Sequence, residues 1–250
     1  MTAPAPPRPL VAVVGAGLAV PGASSPEQLW NRTRRGDPVF AEPARFDLAD
    51  FYSDDPQAQD RTYGRAFGEL TGFRPHPRLE PRWADPAPPD RQAAWLRHSA
   101  LQALDGVRVA EGVRSGAFVA ASTEASHELD AAVAADFVAA GTARHLPGDP
   151  VRTATRLRER LADGGQRAAR SHESVLPHPL VSRALGGVVP ADTPLIVVDN
   201  ICPAGLYAID LGVRHLLDDE TDLALCGGDE FARAAAPGVL RQDGRSVAVR

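Results

Sequence analysis

The chain has 250 residues, of which 44% are hydrophobic and 24% charged, enough for one large domain or two small ones. Its formal net charge of −5 argues against nucleic acid as a main partner. All 27 basic residues are arginines, which excludes lysine chemistry such as a Schiff base or a P-loop. Two cysteines, and seven histidines without metal-type spacing, predict neither a disulfide framework nor a metal site.

The N-terminal region bears on where the protein resides. No apolar run reaches the length of a membrane-spanning helix, so we expect no membrane partner. Residues 9–23, PLVAVVGAGLAVPGA, could imitate a signal peptide. They also fit a buried strand over 10–15 and a Gly/Pro turn, and we favour this interpretation and a cytoplasmic protein. The Pro-rich residues 1–9 predict a flexible arm before a domain over 10–250.

Helix and strand signals alternate along the rest of the chain. Residues 24–36, SSPEQLWNRTRRG, predict a helix with a serine cap, Pro26 in its first turn and Gly36 as its stop. The many prolines of residues 37–90 predict a long, ordered surface excursion. The later segments predict helices over 91–107, 126–141, 150–164 and 203–217, and strands over 116–122, 194–199 and 222–228. Strands that alternate with helices predict an α/β fold with a mostly parallel sheet.

One cysteine lies at a strand-to-helix junction, in PLIVVDNICPAGLYAIDLGVRHLL (194–217). The apolar strand ends at Asp199, Cys202 follows, and Pro203 is predicted as the first helical residue. A thiol at a helix N-terminus lies near unpaired N–H groups, which stabilise a thiolate and can receive an oxyanion. Cys202 is therefore a candidate nucleophile, and the alternative is a buried structural cysteine.

Four blocks of the chain, in order, resemble the β-ketoacyl synthase family. VDNICPAGLYAIDLGVRHLLDDETDLALCGGDE resembles the family's nucleophile region, where a strand ending in Val-Asp-Thr-Ala-Cys-Ser-Ser leads into a buried helix and a strand closed by Gly-Gly. Asp199, Cys202 and the pair Gly227-Gly228 occupy the matching positions. VAVVGAGLAVPGASSPEQLW, DRQAAWLRHSALQAL and RSGAFVAAS resemble the earlier elements. The resemblance implies the N-terminal half of a thiolase-like layered fold, with a mostly parallel sheet and a buried nucleophile helix.

The resemblance also implies a chemistry, decarboxylative Claisen condensation in polyketide or fatty-acid biosynthesis. Cys202 would accept the acyl chain as a thioester, supported by a nucleophile turn of Asn200, Ile201, Pro203 and Gly205. The substrates would arrive on the phosphopantetheine arm of an acyl carrier protein, and no other cofactor and no metal is expected.

Two pairs of residues beside the candidate nucleophile depart from the family pattern. Asn200-Ile201 replaces Thr-Ala, and Pro203-Ala204 replaces Ser-Ser. The stretch before Cys202 is also longer than in the family, with the Arg-rich segment 150–173 as the expected insertion. These departures are compatible with an altered acyl pocket or with a loss of catalysis.

The family's two active-site histidines lie in the second half of its fold, beyond the part that this chain resembles. His215 follows Cys202 by 13 residues, about 20 Å along a helix, so it cannot be the base. His172 and His178 are not excluded by geometry, but we expect both on exposed loops. The base is then missing, or it comes from a second ketosynthase-like chain, either a C-terminal half or a full-length enzyme.

The helix over 203–217 carries apolar residues on more than one side, which predicts burial on all sides and a stable heteromeric complex. We expect a split enzyme. A non-catalytic partner of a full ketosynthase, similar to a chain-length factor, is the main alternative. A stand-alone cysteine hydrolase is a third, for which no base is evident.

Overall fold

The computed structural model describes residues 10–44, 47–59, 61–79, 91–107, 109–122, 127–165, 176–200, 203–229, 239–240 and 246–247. The helices are α1 (Pro26–Arg35), α2 (Arg91–Ala103), α3 (His127–Ala143), α4 (Pro150–Gly165), α5 (Pro177–Leu185) and α6 (Ala204–Leu217), with a 3₁₀ turn at Leu48–Asp50. The strands are β1 (Phe40–Ala41), β2 (Phe67–Gly68), β3 (Ser115–Ala121), β4 (Leu195–Val198), β5 (Leu223–Asp229), β6 (Val239–Leu240) and β7 (Ser246–Val247). The predicted arm over 1–9 lies outside the described residues. Within the described ranges, no helix has the length and apolarity needed to cross a membrane.

β3 is the central strand of a three-stranded parallel sheet. β4 pairs with one of its edges over Ala117–Ala120, and β5 pairs with the other edge over Ser115–Ala121. Parallel strands that are covered on both faces consist of continuous apolar runs, and GAFVAAS, LIVVDN and DLALCGG are such runs. The three predicted strands and their parallel arrangement are confirmed.

The sheet lies between two layers of helices. Alternate side chains of a strand point to opposite faces. Ala117, Val119 and Ala121 of β3 are buried on the face that α2 and α5 cover, while Phe118 and Ala120 are buried against α6. The predicted helices over 91–107 and 203–217 therefore occupy opposite faces of one sheet.

α6 packs closely on the sheet because small residues line its inner face. Ala204, Ala208 and Gly212 recur every four residues and are buried. A Cβ atom on Gly212 would overlap the sulfur of Cys226 and lie 3.2 Å from a ring carbon of Phe118. The depth at which α6 lies thus depends on the absence of a side chain at position 212.

α1 confirms the helix predicted over 24–36. The Ser25 hydroxyl accepts a hydrogen bond from the Gln28 N–H at 3.3 Å, which satisfies one of the free donors of the first turn. Gly36 ends the helix with φ 68°, a left-handed conformation that glycine adopts without steric cost.

The predicted helices over 126–141 and 150–164 are α3 and α4, which pack on each other. An ion pair joins them, with Arg158 Nε 2.5 Å from Asp136 Oδ1. α5 is a helix that the sequence pattern did not predict. It begins with Pro177 at its N-terminus and buries Leu180 and Val181 in the core below β3.

The predicted strand over 10–15 is wrong, since residues 10–19 form no helix or strand. The segment adds no strand to the β4-β3-β5 sheet, although the outer edges of β4 and β5 have no strand partner among the described residues. The segment runs along α2 instead, where Gly15 lies so close to the Ala103 carbonyl that no side chain would fit between them. Leu10 consequently remains exposed.

A buried polar network on α2 holds two loop segments against the core. His98 Nδ1 accepts a hydrogen bond from the His76 N–H at 2.9 Å, so its Nε2–H donates to the Ser24 carbonyl, also at 2.9 Å. Gln102 donates to the same carbonyl at 2.6 Å and accepts from the Leu18 N–H at 3.0 Å. These bonds require a neutral His98, and burial lowers its pKa.

Gly212→Ala should destabilise the fold, because its methyl group would overlap the Cys226 sulfur. Overpacking of this kind costs about 1–3 kcal/mol, so the urea midpoint should fall. Gly205→Ala is the matched control on the same helix, since a Cβ at Gly205 meets no atom within 4 Å. Equal urea midpoints for the two variants would contradict the close packing of α6.

The free energy of unfolding should decrease as the pH falls below about 6.5, the pKa of an unfolded histidine. The pKa of folded His98 is lowered, so in this range the unfolded chain binds a proton that the folded chain does not. Urea titrations between about pH 7.5 and 5 measure the slope. His98→Gln should flatten it, whereas His145→Gln, at an exposed histidine, should preserve it. An unchanged slope in His98→Gln would show that His98 is not the titrating group.

Candidate active site

The candidate nucleophile turn lies at the carboxyl edge of the sheet. β4 ends at Val198, and α6 begins at Ala204 directly after the exposed Pro203. Ligands of open parallel sheets bind outside the carboxyl ends of the strands. The predicted strand-to-helix junction is confirmed. Cys202 and Ile201 themselves lie outside the described residues, and their roles stay predictions.

The N-terminus of α6 is uncapped as far as the chain is described. No described side chain caps it, and its first turn contains no acidic residue. The first backbone bond of the helix joins the Tyr207 N–H to the Pro203 carbonyl at 3.0 Å, so the N–H groups of the preceding turn have no acceptor within the helix. Free N–H groups at a helix N-terminus favour a bound anion or a neighbouring thiolate. Pro203 occupies the cap position, so the helix begins at Ala204, one residue after the predicted first helical residue.

Three of the predicted supporting residues are described. Asn200 and Pro203 are exposed, and Gly205 is half-buried in the first turn of α6. The side-chain position of Gly205 is empty, whereas its Cα lies 3.5 Å from the place that a Cβ on Gly228 would take. Gly205 thus matters through its backbone, which the end of β5 approaches closely.

His215 lies at the wrong end of α6 to act as the base. It is 11 residues after Ala204, the first residue of the helix, which is about 16 Å along the axis. Its Nδ1 lies 2.6 Å from Glu220 Oε2, and its ring packs on Phe118 with the centroids 4.8 Å apart. These contacts give His215 a structural role, and its place near the end of α6 agrees with the prediction that it is not the base.

The remaining described histidines have other surroundings. The predicted loop position of His178 is wrong, because this residue lies on α5, where it is exposed. α5 covers the face of the sheet opposite α6. His76 and His98 belong to the network on α2, on that same opposite face. His145 is exposed after α3. His172 and the side chain of His127 lie outside the described residues. Where the chain is described, no cluster of three or more His, Cys, Asp or Glu side chains could hold a metal.

Cys226 is the second thiol, and it faces α6 from β5. It is half-buried against Gly212, and burial raises the pKa of the thiol. A raised pKa reduces the thiolate fraction at neutral pH, so Cys226 is a weak nucleophile. Of the two cysteines, Cys202 therefore remains the candidate for a reactive thiol at this edge of the sheet.

The spacing of the Gly227-Gly228 pair is visible in the sequence, but its steric role is not. The pattern matched these residues to the end of a strand. The register of β5 with β3 shows that Gly228, and not Gly227, faces the first turn of α6.

Solved structures place the fold in the class of thiolase-like ketosynthases. The ketosynthase from module 6 of the bacillaene synthase of Bacillus subtilis 168 matches with a TM-score of 0.56 at 15% identity, over 90% of this chain and 33% of that chain. A PfaC keto synthase–chain length factor matches with a TM-score of 0.54 at 15% identity, over 87% of this chain and 24% of that chain. At these identities the likeness establishes the fold class alone.

The sequence comparison defines a narrower class than the fold does. The family model described as Beta-ketoacyl synthase, N-terminal domain, matches residues 9–151, more than half of the chain. The chain belongs to this family. A mycocerosic acid synthase-like polyketide synthase of Mycolicibacterium smegmatis is 29% identical over 231 residues, which cover 87% of this chain and 9% of that protein. The chain thus spans about a tenth of the length of this curated relative, and the family match ends before the nucleophile turn.

Proposed function

We propose that the chain is the acyl-accepting subunit of a ketosynthase. The Cys202 thiolate attacks the carbonyl carbon of an acyl thioester, a new C–S bond forms, and the carrier thiolate leaves and takes up a proton. An extender thioester then loses CO₂, and the resulting carbanion attacks the Cys202 thioester. A C–C bond forms, the C–S bond breaks, and the Cys202 thiolate is released.

The observation that carries this proposal is the N-terminus of α6 at the carboxyl edge of the sheet, which no described side chain caps, in a chain of the β-ketoacyl synthase family. An uncapped helix terminus offers N–H donors where the tetrahedral intermediate would develop negative charge. Curated relatives named as polyketide synthases support acyl chains as the substrate class. Their delivery on the phosphopantetheine arm of an acyl carrier protein is part of the proposal.

We also propose that the base comes from a second ketosynthase-like chain. The described histidines whose packing is defined lie at the far end of α6 or on the other face of the sheet. The outer face of α6 exposes Leu206, Tyr207 and Ile209, with 73%, 50% and 49% of their surfaces accessible. A ketosynthase C-terminal half packed on this face would bury apolar side chains next to the proposed nucleophile.

The protein with its partner should form a covalent acyl adduct on Cys202 when it is mixed with an acyl-loaded carrier protein. Intact-protein and peptide mass spectrometry would locate the adduct. Cys202→Ala should abolish it, whereas Cys226→Ala, at the thiol whose pKa is raised by burial, should leave it in place.

A specific alternative is a non-catalytic subunit similar to a chain-length factor, which the altered pairs Asn200-Ile201 and Pro203-Ala204 beside Cys202 favour. Product formation at an undiminished rate with Cys202→Ala would establish that alternative. It would exclude the acyl-accepting role.

The complex itself is testable. Co-expression with a ketosynthase C-terminal half, or with a full ketosynthase, should give a stable heteromer on light scattering, because an obligate interface buries upward of roughly 2,000 Å². Ile209→Glu on α6 should prevent it. Phe137→Glu is the matched control, since Phe137 is an exposed apolar residue on α3. A monodisperse monomer with a sharp thermal transition, under all these conditions, would exclude the partner.

A further inference from the structure

An exposed row of arginines, Arg152, Arg156 and Arg160, runs along α4. The three residues recur every four positions, so neighbours in the row lie about 6 Å apart along the helix axis, on one flank of the helix. Their guanidinium groups make no hydrogen bond and no ion pair with any described residue. Arg158 lies outside the row, on another side of α4, and pairs with Asp136 of α3. The row therefore presents positive charge that the described chain does not neutralise.

The row belongs to a helical hairpin that is separate from the core around the sheet. α3 and α4 pack on each other, and the buried residues of α3 lie outside both described core clusters: Ala135, Ala139 and Ala143. α3 begins shortly after β3 ends, so the hairpin leaves the sheet at the carboxyl edge, from which α6 also starts. The short connection makes α4 antiparallel to α3. The Arg160 end of the row thus returns toward the edge of the candidate active site.

A carboxylate within the row limits the kind of anion that the row can bind. Glu159 is exposed, and its direction around the helix is within about 20° of that of Arg152. It would repel the closely spaced phosphates of a nucleic acid, which the net charge of −5 also disfavours. A protein helix with Asp or Glu at every fourth position has carboxylates at the spacing of the arginines. The row therefore fits an acidic helix of a protein partner.

The exposure of the row indicates a transient partner. Ion pairs between exposed side chains add little to affinity and are screened by salt, but complementary charge speeds the encounter of two proteins. A stable partner would be held by apolar burial, for which the outer face of α6 is suited. In the proposed reaction the acyl carrier protein is the partner that has to bind, deliver its thioester and leave.

We propose that the arginine row of α4 is a docking surface for the acyl carrier protein, which binds it through a helix with carboxylates four residues apart. The inference rests on the proposed function, because that function supplies the carrier protein as a partner. A carrier protein bound to the hairpin is held at the carboxyl edge of the sheet, the edge at which α6 begins.

The experiment measures binding instead of acyl transfer, so its readout does not depend on Cys202. A fluorescently labelled acyl carrier protein that lacks the phosphopantetheine arm is titrated with the full chain and its partner chain, and anisotropy gives Kd. The triple variant Arg152→Glu, Arg156→Glu and Arg160→Glu should raise Kd about tenfold or more at about 50 mM salt. At about 500 mM salt, where exposed charges are screened, the difference from wild type should largely disappear.

A matched control variant changes the net charge by the same amount elsewhere on the surface. Arg34→Glu, Arg61→Glu and Arg74→Glu replaces three exposed arginines outside the hairpin, whose guanidinium groups also have no described partner. Its Kd should stay within about twofold of the wild-type value, because steering by distant exposed charges is weak beyond a Debye length. Equal Kd values for the row variant and the control variant would overturn the docking surface.

A variant that tightens binding separates docking from a structural role of α4. Glu159→Gln removes the one carboxylate of the row, so Kd should fall about two- to fivefold. Weakened packing of the hairpin would not produce tighter binding. If charge reversal unfolds α4, as circular dichroism and thermal melting report, the triple Arg→Gln variant of the row replaces it and should raise Kd at low salt. Unchanged Kd values in this variant and in Glu159→Gln would overturn the proposal.

Two further outcomes separate this inference from its alternatives. A labelled helical peptide with Glu at every fourth position is titrated in parallel with a peptide of the same composition whose Glu residues are clustered. If the first peptide binds the row and the carrier protein does not, the row recognises an acidic helix of another protein and the carrier assignment is overturned. If the carrier protein binds through the row but no acyl adduct forms on Cys202, the proposed function falls and the docking surface stands.

Discussion

The close approach of α6 to the parallel sheet is the constraint on which the candidate site depends. Helix and sheet meet through glycine and alanine on both sides, and at Gly212 even one methyl group would overlap the Cys226 sulfur. Close packing has two effects. It buries the helix against Phe118 and Ala120 of β3, and it brings the helix N-terminus down to the carboxyl ends of the strands. The free N–H groups of α6 therefore lie where ligands of such sheets bind.

Ion pairs between charged side chains hold the opposite end of α6. Arg114, just before β3, pairs with Asp219 and Asp222 in the connection from α6 to β5, with Nη2 2.8 Å from a carboxylate oxygen of each. This guanidinium lowers the pKa of Asp222 to about 2. His215 also contacts Glu220 at this end of the helix. Side-chain hydrogen bonds thus hold the C-terminal end of the helix, while no described side chain caps its N-terminal end. That asymmetry leaves one end of α6 available for chemistry.

The sequence predicted those parts of the fold whose signals are local. Continuous apolar runs located β3, β4 and β5, and the Ser25 cap with Gly36 located α1. The strand over 10–15 failed because an apolar run does not say which strand edge is free. The depth of α6 was equally invisible, because it depends on the contact of Gly212 with the Cys226 sulfur, and the register of β5 with β3 is what brings that sulfur under the helix. The strand-to-helix junction could be predicted; the contact that positions it could not.

The exposed apolar face of α6 and the lack of a base among the described histidines support the same proposal, a second layer outside α6. Leu206 and Tyr207 belong to the first turn of α6. A layer of structure that covers them therefore lies within one helical turn of the start of the helix. The inner face of that turn is already filled by the sheet at Ala204, and α2 and α5 are separated from it by the whole thickness of the sheet. Where the chain is described, the outer side of this turn is the one that stays exposed. A second layer packed on the outer face of α6 would bury its apolar side chains and lie beside the start of the helix, which Cys202, the proposed nucleophile, precedes in the sequence.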